Sequence, residues 1–105
     1  MIRLKAGVGL SGLQPQLVLG LILIEPAFAA VGAECIVTSI NDGQHKADSF
    51  HSRGLAADLR IKHIHPDQKA AVVAHITDLL GPEWDVLWES QELANEHVHI
   101  EFDVR

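Results

Sequence analysis

The chain has a single cysteine, Cys35, no tyrosine, one methionine and four prolines in 105 residues. One thiol cannot form an intramolecular disulfide, so the fold does not depend on an oxidising compartment, and zinc sites built from several thiolates are excluded. Cations are also scarce: eight Lys and Arg stand against fourteen Asp and Glu, for a formal charge of -6. That balance argues against nucleic acid as a partner, because binding phosphate needs clustered positive charge. No apolar run approaches the roughly 18 residues that a membrane span requires. The sequence also lacks repeats, low-complexity tracts and Ser/Gly linkers, so residues 1–105 read as one continuous domain with a modest core.

The N-terminal segment needs separate treatment. Met1 to Lys5, the apolar stretch Leu17 to Ile24 and Ala27-Phe28-Ala29-Ala30 mimic a secretory signal with a small-residue cleavage site. Gln14, Pro15 and Gln16 ahead of the stretch, and Glu25-Pro26 interrupting it, suit a domain helix better. The expectation is a chain made in the cytoplasm, with a cleaved leader disfavoured.

What the sequence does have is histidine, seven in all. Imidazole is the commonest metal ligand. The segment Ser49-Phe50-His51-Ser52-Arg53-Gly54-Leu55-Ala56-Ala57-Asp58 and the later Glu96-His97-Val98-His99-Ile100-Glu101 form a split metal-ligand signature. His51, Asp58 and His99 suit a zinc ion that keeps one position open, since catalytic sites use three N/O ligands and leave water in the fourth place. Glu96 is a spare carboxylate, three residues before the last ligand, able to take a proton from that water. Two His-Xaa-His steps, His63 to His65 and His97 to His99, offer other chelating pairs on a strand face. His97 reads better as a residue behind the ligands or in contact with substrate.

The pattern around these residues predicts the elements that carry them. Leu17, Leu19, Leu21, Ile22 and Ile24 predict a mostly buried helix from Pro15 toward Ala30, kinked or ended by Pro26. Ile36, Val37, Thr38 and Ile40 predict a strand, followed by a turn at Asn41-Asp42-Gly43. Alternation from Leu55 to Ile61 predicts a second strand with Asp58 projecting from its less apolar face. Pro66-Asp67 opens a helix with Ala70, Val73, Ala74, Ile76, Thr77 and Leu80 at helical spacing, and Gly81-Pro82 stops it. Trp84 to Trp88 predicts a further strand. In the last segment His97, His99 and Glu101 share a face opposite Val98, Ile100 and Phe102. Strict alternation would put Glu96 and His99 on opposite faces, so a base role for Glu96 requires an irregularity at the entrance of this strand.

With these residues in place, the sequence resembles the zinc D-alanyl-D-alanine metallopeptidases, a family that includes D,D-carboxypeptidases, vancomycin-resistance D,D-dipeptidases and phage L-alanyl-D-glutamate endolysins. The hedgehog signalling domain shares their fold and metal site. The family pattern Ser-x-His-x-x-Gly-x-Ala-x-Asp, then Glu-x-x-His, is matched by Ser49, His51, Gly54, Ala56 and Asp58, then Glu96 and His99. The resemblance covers roughly Ile36 to Phe102. It implies an α+β fold in which a small antiparallel sheet carries the metal on one face and helices on the other. It also implies a zinc-dependent hydrolase of peptidoglycan stem peptides, phage or prophage encoded, that acts on the cell wall after release. The chain departs from many catalytic relatives in lacking an arginine shortly after its Thr38-Ser39 pair, where relatives steady the substrate carbonyl. Gln44, His45, Lys46 and Arg53 are the nearby polar groups, and nothing in the sequence selects among them. Ser49 reads as a turn or hydrogen-bonding residue rather than a nucleophile. Two further readings stand beside the peptidase: a non-catalytic metal-binding interaction module and a phage structural component.

Overall fold

The protein, represented by a computed structural model, is described over residues 1–40 and 53–103. Its elements run β1 (Ile2–Leu4), α1 (Pro15–Ala29), β2 (Cys35–Ser39), β3 (Ala56–Arg60), α2 (Pro66–Leu80), β4 (Trp84–Glu89) and β5 (His97–Phe102). The strands form one sheet in the order β1-β2-β3-β5-β4, and the two helices pack against it, a small α+β fold. All neighbours are antiparallel except β1 and β2, which run parallel through the α1 crossover. That parallel edge adds to the antiparallel sheet that the family resemblance implied. With only three residues, Ile2 to Leu4, β1 is too short to show an alternation.

Each helix buries one stripe. Leu17, Leu21, Ile24, Ala27 and Phe28 of α1 meet Val72, Ile76 and Leu80 of α2 above Val37, Ala57, Leu59, Val98 and Ile100 of the sheet. Pro26 lies inside α1, which continues to Ala29. Proline removes one backbone donor and so one helical bond, and the buried Ala27 and Phe28 just beyond it hold the last turn in place. Nor is α1 mostly buried: Leu19 and Ile22 are each 58% exposed, because the sheet and α2 cover only one side of it. In α2 the buried stripe is Val72-Ile76-Leu80, while Ala70, Ala74 and Thr77 face outward. The larger side chains at i, i+4 spacing remove more apolar area from water than the alanines, and they set the helix rotation. Among the described residues no helix is long and apolar enough to cross a membrane.

Two glycines allow close approach. A Cβ on Gly20 would lie 2.3 Å from the ring of Trp84, so its absence lets α1 settle against β4. Gly54 has φ +72, and a Cβ there would meet the Gly12 carbonyl oxygen at 2.0 Å. The Gly54 carbonyl accepts a hydrogen bond from the Gln14 N–H at 3.1 Å, pinning the segment that leads into β3 beneath the start of α1. The glycine between the expected ligands His51 and Asp58 is therefore required both by its backbone angle and by space.

Candidate metal centre

Alternation along β3 and β5 sorts the sheet into two faces. Leu59, Val98 and Ile100 turn into the core, while Asp58, Arg60, His97, His99 and Glu101 belong to the open face. Registry then lines up three rows across that face. Arg60 stands opposite His97, which stands opposite Glu89. Asp58 stands opposite His99, and Ala56 opposite Glu101, which itself faces Asp85.

The middle row brings two of the expected ligands together. His99 Nδ1 and Asp58 Oδ1 are 2.9 Å apart, although the residues are 41 positions apart in the chain. Donor atoms around one tetrahedral zinc, each about 2.0–2.1 Å from the ion, stand roughly 3.3 Å from one another, so this pair fits such an ion after a shift of a few tenths of an ångström. On the other side of the ring, His99 Nε2 donates to Glu101 Oε1 at 2.7 Å. Ionised carboxylates only accept, so with Asp58 on Nδ1 and Glu101 on Nε2 both ring nitrogens donate. A metal would displace the Nδ1 proton, and Glu101 would then hold Nε2–H as carboxylates do behind metal-bound histidines. Burial lowers the His99 pKa, but the hydrogen bonds and charges of Asp58 and Glu101 outweigh it and push the ring up to about 9.

A bulge supports this row from β2. The β2–β3 register shifts between Val37 and Ser39, and Thr38 Oγ1 donates to the Asp58 carbonyl at 3.3 Å. Irregularities of this kind re-aim a neighbouring side chain. Beside Asp58 a cleft of about 350 Å³ is lined by Lys5, Thr38, Arg60, Lys62, Glu96 and His97, among others.

Glu96 lines that cleft, but its carboxylate is committed elsewhere. It is the only buried polar or charged side chain among the described residues, and it accepts from Lys69 Nζ of α2 at 2.7 Å and from Trp88 Nε1 of β4 at 2.9 Å. Trp88 packs against the core, and its register partner is Val98. The Glu96 oxygens therefore point toward the helix layer, and the irregularity expected to turn them toward His99 is not what the structure shows. Burial raises this carboxyl, while the hydrogen bonds from Lys69 and Trp88 outweigh burial and hold it below its ordinary value.

His97 lies close to the pair without joining it. Its Nε2 is 3.2 Å from Glu89 Oε1 and 3.8 Å from Asp58 Oδ1, and its Nδ1 contacts the Asn95 carbonyl at 2.7 Å. His63 and His65 do not form a chelating pair. His63 stacks on Phe28 and contacts the Glu34 carbonyl at 2.8 Å, whereas His65 caps α2 by accepting from the Asp67 N–H at 3.2 Å. Arg53 is exposed. Gln44, His45, Lys46, Ser49 and His51 lie outside the described residues.

Sequence reasoning missed the partners of Glu96, because no periodicity links Lys69 on a helix to a strand entrance. It also gave no specific contact to Glu101, although the shared parity of His99 and Glu101 carried that signal. At the β4–β5 end of the face, Asp85, Glu101 and Asp103 each bring a carboxylate oxygen within 4.8 Å of the others, a cluster that could hold a metal ion. Set against family models, curated proteins and solved structures, the chain matches none.

Proposed function

We propose that the protein is a zinc-dependent peptidase acting on peptidoglycan stem peptides, of the D-alanyl-D-alanine metallopeptidase type. The observation that carries this reading is the Asp58–His99 pair, 2.9 Å apart on the open face and backed by Glu101. His51 is the third ligand in this reading. Zinc, when bound, supplies a Lewis acid and an acidified water.

The chain's own residues do the rest. Glu101 holds the His99 ring with Nδ1 toward Asp58, and Thr38 steadies the strand backbone beneath Asp58. Glu96 borders the same cleft, and in this reading its carboxylate must turn from Lys69 and Trp88 toward the metal row to take a proton from the attacking water and return it to the leaving amine. The Lys69 ion pair keeps Glu96 ionised, but it also holds the carboxylate away from the row and makes it a weaker base.

The commitment of both Glu96 oxygens to Lys69 and Trp88 favours a second reading, a metal-binding module without turnover. One experiment separates the two. Purified protein supplemented with zinc is assayed for metal content, and its action on purified peptidoglycan is read by mass spectrometry of the released fragments. About one zinc per chain with chelator-sensitive fragment release, lost in E96Q while zinc is retained, supports the peptidase. Zinc without any release supports the module, and a chain that takes up no zinc sinks both.

A further inference from the structure

Cations are few in this chain, yet they are not spread evenly. Among the described residues, Arg3, Lys5, Arg60 and Lys62 line two adjoining clefts on one side of the open face. Lys5, Arg60 and Lys62 border the cleft beside Asp58. Arg3 and Arg60 border a neighbouring cleft of about 460 Å³ that also includes His63, His65 and Gln68. Arg60 belongs to both.

Most of the cations around it are engaged. Arg3 pairs with Glu34 at 3.4 Å, and Lys62 Nζ donates to the Ala94 carbonyl at 2.7 Å. Arg60 is half-buried at the centre of the sheet and forms no ion pair or side-chain hydrogen bond among the described residues. In a chain with fourteen carboxylates, leaving a half-buried guanidinium without one forgoes the strongest hydrogen bonds available to it.

The opposite corner of the face has the reverse charge. Asp85, Glu101 and Asp103 cluster there, with the Asp58–His99 row between them and Arg60. Along β3, Arg60 is two residues from Asp58, roughly 6.6 Å at the usual strand rise. A charge gradient therefore runs across the face, and the row proposed to hold the metal lies in its middle.

We infer that Arg60, assisted by Lys5, is an anion subsite that holds a carboxylate of the bound ligand next to the Asp58–His99 row and so sets the direction in which a peptide lies across the face. A planar guanidinium matches a carboxylate through two parallel N–H···O bonds, which Lys5 cannot imitate but can reinforce as a point charge. The subsite rests on the peptidase reading for its ligand, though not for its charge. It selects ligands whose free carboxylate lies close to the amide group at the metal row, and the acidic corner repels the same group when the ligand is reversed.

The probes are N-acetyl-D-alanine and N-acetyl-D-alaninamide, which differ only in the charge of the carboxyl end. Each is titrated into the full chain, with and without zinc, and followed by amide chemical shifts in wild type, R60Q, R60K and K5Q. The wild type binds the acid about tenfold or more tightly than the amide, R60Q brings the two within about twofold, and R60K recovers part of the preference. K5Q weakens the preference without abolishing it. Equal binding of acid and amide by the wild type, no saturable binding of the acid, or an undiminished preference in R60Q overturns the inference. Zinc content, measured on the same samples, tests the metal reading separately. A chain that binds no zinc yet prefers the acid removes the peptidase and leaves the anion subsite standing.

Discussion

The two faces of the same sheet are built by opposite rules, although the same strands supply both. On the helix side, Val98 and Ile100 join Phe28, Ile24 and Leu17 in a core whose members are almost wholly buried. On the open side, His97, His99 and Glu101 from the same strand carry charge and hydrogen bonds and stay partly exposed. A core of this kind stabilises through area removed from water and tolerates no charge without a partner. The open face can hold charged groups because they answer one another in pairs and water still reaches part of each. Stability and chemistry are thus divided between odd and even positions of single strands. Glu96 is the exception, since it lines the cleft of one face while its carboxylate is buried on the other.

Mutations that should respect this division test it most directly. Phe28→Ala, at the fully buried end of α1, is expected to cost about 3–5 kcal/mol in urea denaturation. Zinc uptake by the fraction still folded should match the wild type, and a specific loss of metal there breaks the comparison.

The exception should be nearly as costly. Lys69→Met leaves a buried carboxylate with no counter-charge and is expected to lose about 3 kcal/mol. A matched replacement of both partners, K69M with E96L, should lose less than the two single changes combined, as read in a double-mutant cycle. Additive losses instead would mean that Lys69 and Glu96 act independently. Gly20→Ala should cost about 1–3 kcal/mol by forcing the new methyl against Trp84, with no change in metal content. An unaffected melting temperature would show that α1 has slack against β4.

The open face is tested through its pH dependence. The His99 value is raised from 6.5 to about 9 by its two carboxylates, so in the metal-free chain its contribution to stability is complete below pH 6.5 and is lost as pH rises through about 9. Thermal melts of metal-free protein should therefore decline across that window, and E101Q should flatten the decline. Asp58→Asn should flatten it as well and abolish zinc uptake, and because the pair contributes fully below pH 6.5 it should also lower stability at pH 6. Unchanged stability of D58N at pH 6 would show that the Asp58–His99 pair adds nothing to the fold.

Much of this division was legible in the residues. The period of two in His97-Val98-His99-Ile100-Glu101 placed the strand, its polar face and its core face, because parity along a strand is a local property. Pro66-Asp67 and Gly81-Pro82 bounded α2 for equally local reasons. The rotation of α2 was misjudged because Ala70, Ala74 and Thr77 share a helical spacing but bury too little area to compete with Val72. Strand β1 was missed, and so was the parallel pairing it makes. The approach of Asp58 to His99 was implied by the motif, but the orientation of Glu96 was not, since no spacing in the sequence points from a strand entrance to a lysine on a helix.

Local sequence set which residue types stand ready for metal binding, the bounds of α2 and the approximate place of the strands after β1, and the polar side of β3 and β5. These depend on propensities and periods that neighbouring residues set among themselves. The packed fold settled that Asp58 and His99 face one another, that Glu101 contacts the imidazole, that Arg60 has no charged partner among the described residues, and that Lys69 and Trp88 claim Glu96. Those outcomes depend on strand register and on the docking of α2, which bring together residues from separate strands and from a helix through the packing of one shared core.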